Sequence, residues 1–279
     1  MPALLVSADP APLATVPAMP TVDPLGSLLD AFLSLSAEHP ELLGFTLGRS
    51  GGAGEGGALV RYTWKGPRGG GTGRVKLGLF AGIHGDEPAG GWALLDFAAA
   101  LLARPELGEG FEFVFYPCCN PTGLVLGTRF NSAGLDLNRE FWRGSAQPEV
   151  RLLEHELDLQ SFDGLIALHA DDTSHGLYGY ARGRLLAEEL LRPALAAASA
   201  VLPANHDSVI DGFPAERGLI RDCFCGVLAA PAGQRPQPFD IIFETPALEP
   251  LAAQRSAAVL GLQALVATHR RFISYADGL

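Results

Sequence analysis

From residue 75 onward, short and nearly unbroken apolar runs alternate with longer stretches in which apolar residues return every three or four positions. The first run, VKLGLFAGI at 75–83, reads as a strand buried on both faces, and EPAGGWALLDFAAALLA at 87–103 reads as a helix. The alternation continues with a strand at 111–119 (FEFVFYPCC), a helix at 148–160, a strand at 162–170 (FDGLIALHA) and a helix at 184–202. A strand at 239–246 (FDIIFETP) and a closing helix at 248–272 complete it. Upstream, Leu28, Leu29, Phe32 and Leu35 mark a helix near 25–36, and ALVRYTWKG at 58–66 is a strand between Gly-rich loops at 51–57 and 69–73. Strands that alternate with helices predict an α/β fold: a mixed, mostly parallel central sheet flanked by helices on both faces. Residues 1–24, with six prolines, read as an extended arm ahead of one catalytic domain at 25–279.

In such sheets ligands gather at the carboxyl ends of the strands. His84 and Glu87 follow the first apolar strand, Asn120-Pro121 follows the next, His169 closes a third, and Glu244 closes the last, with Pro246 ending the ladder. A His-x-x-Glu pair proves nothing taken alone, so this one gains its weight from the other strand ends. Two imidazoles and a carboxylate are a three-ligand zinc set with a fourth position left for water, whose pKa then falls to about 7. Glu244 is the candidate for taking and returning that proton. Between the ligands, GTRFNSAGLDLNREFW at 127–142 brings Arg129, Arg139, Asn131 and Asn138, and arginine's planar fork suits a carboxylate or a developing oxyanion.

The composition narrows the setting. With 48% hydrophobic residues the chain builds a large core, and a net charge of −11 with only 20 Lys and Arg argues against nucleic acid. The longest candidate apolar stretch, at 92–103, carries Asp96 and falls short of the roughly 18 residues a span requires, so no membrane span is expected. The start of the chain lacks a charged, apolar leader, and the four cysteines fall as Cys118-Cys119 and Cys223-x-Cys225. These features predict a cytoplasmic protein with small, buried, reduced cysteines.

The ordered set His84-Gly85-Asp86-Glu87, Asn120-Pro121-Thr122-Gly123, Thr128-Arg129-Phe130-Asn131, Asp136-Leu137-Asn138-Arg139, Leu168-His169 and Phe243-Glu244 resembles the zinc carboxypeptidase superfamily over about residues 75 to 270. The resemblance implies one zinc ion held by His84, Glu87 and His169, with Glu244 as general base and acid. It further implies that Arg129 polarises the scissile carbonyl, that Asn138 and Arg139 grip the substrate's terminal carboxylate, and that Asp136 accepts a hydrogen bond from His84. Digestive members swing a tyrosine over the substrate from a loop before the catalytic glutamate. Residues 206–243 hold no tyrosine, so that role is unfilled or falls to Tyr178 or Tyr180; Tyr178 is carried here as a substrate-binding residue. Asp86 stands where digestive members tend to have an arginine, which hints at a different substrate.

The leading expectation is a zinc hydrolase acting on a small peptide beside its free carboxylate. The alternative is a deacylase of N-acyl amino acids, of the related succinylglutamate desuccinylase and aspartoacylase type; such enzymes usually carry a β-rich region after the catalytic glutamate, where this chain has 35 residues (279 minus 244). A zinc-binding or ligand-binding module without turnover is the reading from another class. Outside this set, His155 reads as solvated, His175 as a loop histidine, Asp171 and Asp172 likewise as loop acids, with a second cation or a substrate amine as the alternative, and Arg217, Arg221 and Arg235 as candidates, not told apart by the sequence, for a side-chain pocket.

Overall fold

A computed structural model describes residues 23–50, 56–69, 73–183 and 186–276, so most of the Pro-rich arm and of the two Gly-rich loops lies outside the described residues. The first helix, α1 (Pro24–Glu38), starts where Asp23 accepts a hydrogen bond from the amide of Leu25 and Pro24 has no amide to leave unsatisfied; Leu25, Leu28 and Phe32 are buried. A hairpin of β1 (Leu43–Arg49) and β2 (Ala58–Lys65) comes next. Then follow β3 (Val75–Ala81), α2 (Ala89–Ala103), β4 (Phe111–Tyr116), the short α3 (Pro121–Leu126), α4 (Pro148–Gln160) and β5 (Gly164–Asp171). The rest comprises β6 (Tyr178–Arg182), α5 (Leu186–Ala198), three short strands β7 (Val209–Ile210), β8 (Phe213–Glu216) and β9 (Leu219–Ile220), then β10 (Phe239–Pro246) and α6 (Leu251–Ala276).

One ten-stranded sheet takes the order β1-β2-β4-β3-β5-β10-β6-β9-β8-β7. Its middle, β4-β3-β5-β10, is parallel, while β2 and β6 join antiparallel on either side. Alternate residues of each strand feed two cores. Leu77, Leu79, Phe113, Ile166 and Phe243 pack with α1, α2, α5 and α6, whereas Phe80, Val114, Ala167 and Ile242 pack with Val150, Leu153 and Leu157 of α4. By that two-residue period, His169 and Glu244 rise on the α4 face, at the carboxyl ends of their strands.

The strand ends differ from the sequence expectation in an instructive way. The run at 75–83 stops at Ala81 because Gly82, at φ +61, turns the chain. The run at 111–119 stops at Tyr116, where Pro117 has no amide to offer; Cys119 and Asn120 instead donate their amides to the carbonyls of Ala81 and Gly82. Of the cysteines, Cys118 and Cys119 are buried as expected, but Cys223 is half-buried and Cys225 exposed, because they lie in the loop after β9 rather than in a strand. No helix among the described residues is long and apolar enough to cross a membrane.

Candidate metal centre

The turn at Gly82 carries the chain across the end of β3, and the Glu87 amide then bonds the His84 carbonyl, so both side chains leave one tight loop. Gly85 lets that loop press against α3: a Cβ there would lie 1.9 Å from the carbonyl carbon of Gly123. Asn120 locks the same contact, its Oδ1 accepting from the Gly123 amide and its Nδ2 donating to the carbonyls of Ile83 and Arg129. Asn120 is therefore a tie between two site loops, and Asn131 likewise spends its Oδ1 on the amides of Ala133 and Leu135.

Glu87 is buried between two imidazoles. Its Oε1 lies 2.6 Å from Nδ1 of His84, and its Oε2 lies 2.9 Å from Nδ1 of His169 while accepting from the Ala170 amide. Behind His84, Nε2 faces Asp136 Oδ1 at 3.2 Å, and Asp136 Oδ2 in turn accepts from Arg129 Nε at 3.0 Å and pairs with Nη2 at 2.9 Å. Arg129 Nη1 reaches to within 3.4 Å of His84 Nδ1.

Burial opposes charge on Glu87, but the two imidazoles outweigh it and hold the carboxyl at about 2. Asp136 is lowered as well, its burial overcome by His84 and Arg129. His84 is raised: desolvation works against the imidazolium, and Asp136 and Glu87 overcome it.

Two imidazole nitrogens and a carboxylate oxygen, all buried and within 4.8 Å of one another, fit a metal ion of the zinc type. Asp136 occupies the outward nitrogen of His84 and leaves Nδ1 facing the donor cluster, the arrangement that orients metal-ligating histidines.

Glu244 stands beside this cluster. On β10 it lies opposite His169 of β5 on one side and Tyr178 of β6 on the other, so the three side chains form a row across the sheet. Its carboxylate has no hydrogen-bond partner among the described residues, and burial, reinforced by Glu87, Asp171 and Asp211 and opposed by His169, pushes it up to about 8. The row borders a cavity of about 350 Å³ into which His84, Glu87, Arg129, Asn138, Arg139, His169, Tyr178 and Glu244 all face. Arg139 stacks its guanidinium 4.3 Å over the Phe224 ring and pairs with no carboxylate among the described residues.

His84, Glu87, His169, Glu244, Arg129, Asn138, Arg139 and Tyr178 thus meet at one cavity, with Asp136 directly behind the donors. Asp86, Asp171 and Asp172 also line it, whereas His155, His175, Arg217, Arg221 and Arg235 do not. Sequence reasoning missed the opposite wall, made of Asp211, Phe224, Val227 and Ile242. Tyr180 belongs to that wall and bonds Asp211. The Asp211-Gly212 pair, a common turn signal, was the one clue in the sequence to where Asp211 is held.

Residues 74–207 match the family described as the succinylglutamate desuccinylase/aspartoacylase catalytic domain. Among solved structures, a candidate metallopeptidase from Shewanella amazonensis SB2B shares 26% identity at a TM-score of 0.68, over 85% of this chain and 90% of that one. Another, from Shewanella baltica OS155, shares 25% identity at a TM-score of 0.70, over 88% and 92%. A metallo-carboxypeptidase from Burkholderia cenocepacia has the same fold at 19% identity and a TM-score of 0.67, over 88% of this chain and 69% of that one. No curated protein matches the chain.

Proposed function

Since the chain is zinc carboxypeptidase-like and related to the succinylglutamate desuccinylases and aspartoacylases, we propose that it is a zinc-dependent hydrolase that cleaves an amide bond next to a free carboxylate. The convergence of His84, Glu87 and His169 on the wall of a cavity that also holds an unpartnered Glu244 is the observation that supports this most. His84, Glu87 and His169 would hold the zinc, and the metal would supply Lewis acidity for polarising a carbonyl and acidifying water near neutral pH. Glu244, open to the cavity, accepts the proton from the attacking water and returns it to the leaving nitrogen. Arg129, held in place by Asp136 with one amino group turned toward the donors, steadies the oxyanion on the scissile carbonyl. Asn138 and Arg139 take the substrate carboxylate, and Tyr178 closes the wall beside Glu244.

Protein purified after growth with zinc should contain about one equivalent of metal, and a chelator should abolish hydrolysis of a panel of C-terminal peptides and N-acyl amino acids. Less than about half an equivalent would remove the site from consideration, and a metal-loaded protein without turnover on either class would favour a binding module. The family match over 74–207 favours a second reading, deacylation of an N-acyl amino acid by the same groups; the panel decides between the two by which class is turned over.

Asp136→Asn keeps the size but loses the charge that fixes His84. We expect zinc affinity to fall by about 10- to 100-fold in a competition assay against a chromogenic chelator. Unchanged affinity would mean that Asp136 serves Arg129 alone.

A further inference from the structure

We infer that the substrate carries a basic side chain on a long aliphatic stem, with its charged end taken by Asp211. The inference rests on the reading of Asn138 and Arg139 as the carboxylate site. That site is marked by Asn138: only 5% exposed, it lines the cavity and accepts from the Leu228 amide through Oδ1, while its Nδ2 has no protein partner among the described residues.

From Arg139 a continuous aromatic wall leads to a carboxylate. The guanidinium covers Phe224, Phe224 meets Phe213 edge-on at 4.9 Å, Phe213 meets Tyr180 at 6.2 Å, and the Tyr180 hydroxyl donates to Asp211 Oδ2 at 2.6 Å. Phe224 and Tyr180 face the cavity along this wall, with Val227 and Ile242 supplying further apolar surface. A side chain lying along it needs methylenes first and a cation last, the build of lysine and arginine.

The charges point the same way. Asp211 Oδ1 has no partner among the described residues, and Asp171 and Asp172 add negative charge to the same cavity. Neither cavity guanidinium compensates: Arg129 is committed to Asp136, and Arg139 lies on Phe224 at the other end of the wall. Asp211 is exposed, so a neutral side chain gains no pairing with it and an acidic one would be repelled.

Norleucine is lysine without the ammonium group, so the pair isolates the charge. Titration calorimetry of the zinc-loaded protein with L-lysine, L-norleucine and L-glutamate should show lysine binding about 2- to 5-fold more tightly than norleucine, and glutamate most weakly. Asp211→Asn should bring the lysine-to-norleucine ratio close to one. Asparagine suits the φ of +52 at this position, and norleucine binding by the variant reports a cavity still formed. Equal binding of lysine and norleucine by the unsubstituted protein, or an unchanged ratio in the variant, overturns the inference and leaves the hydrolase reading standing. If none of the three binds, the carboxylate site itself is wrong and the inference falls with it.

Discussion

Glu244→Gln should lower amide hydrolysis by about 100- to 10,000-fold, the usual contribution of a positioned general base, while zinc content stays near that of the unsubstituted protein. The two outcomes separate because Glu244 is outside the cluster of donors around Glu87 and has no hydrogen-bond partner to lose. Stability gives a further control. A carboxyl raised from 4.5 to about 8 by burial stabilises the fold below pH 4.5, and that contribution is lost as pH rises through about 8. Metal-free protein should therefore show a falling urea midpoint across this range, and the Gln variant should lack that part of the fall. A variant that keeps the full hydrolysis rate would remove Glu244 from the mechanism.

Gly85→Ala should be the most damaging single methyl group at the site. Its Cβ would meet three backbone atoms of α3, at 1.9 Å, 2.2 Å and 2.3 Å, so no side-chain rotation relieves the clash. Either the loop bearing His84 and Glu87 or α3, whose Leu124 is in the core, has to move. We expect a loss of at least about 3 kcal/mol of stability, read as a Tm lower by roughly 5–10 °C, together with loss of zinc. Gly73→Ala, where an added Cβ meets nothing within 4 Å, should leave both unchanged. A metal-replete Gly85→Ala protein with the ordinary Tm would show that the loop and α3 are not locked together.

The residues legible in the sequence share a physical cause. β3, β5 and β10 are covered on both faces, so their apolar runs are continuous, and a polar residue at the end of such a run stands out. His84, Glu87, His169 and Glu244 were found in that way. β1 carried no comparable signal, because most of its residues are exposed and two are glycines. The three strands between 209 and 220 hold two to four residues each, too few to show a period. Their place beside β6 is fixed by pairing with residues far along the chain, as when Gly179 and Tyr180 meet Leu219 and Ile220. The wall that ends at Asp211 was hidden for that reason. Asn120 shows the opposite limit: its position at a strand end was legible, but only the contacts show that it braces loops instead of touching a ligand.

The sheet thus divides the labour of the cavity between strands of different standing. The proposed donors and base lie on β5, on β10 and in the loop that β3 feeds, and each of these strands is hydrogen-bonded to a neighbour on both sides, whereas Asp211 and Phe224 belong to turns around two-residue and four-residue strands near the sheet's margin. Substitutions in that marginal segment disturb few ladder bonds and none of the groups that converge on Glu87. Relatives of this chain are therefore free to drift in what they accept while retaining the proposed chemistry, and divergence between them should concentrate in residues 207–228 before it reaches the strand ends.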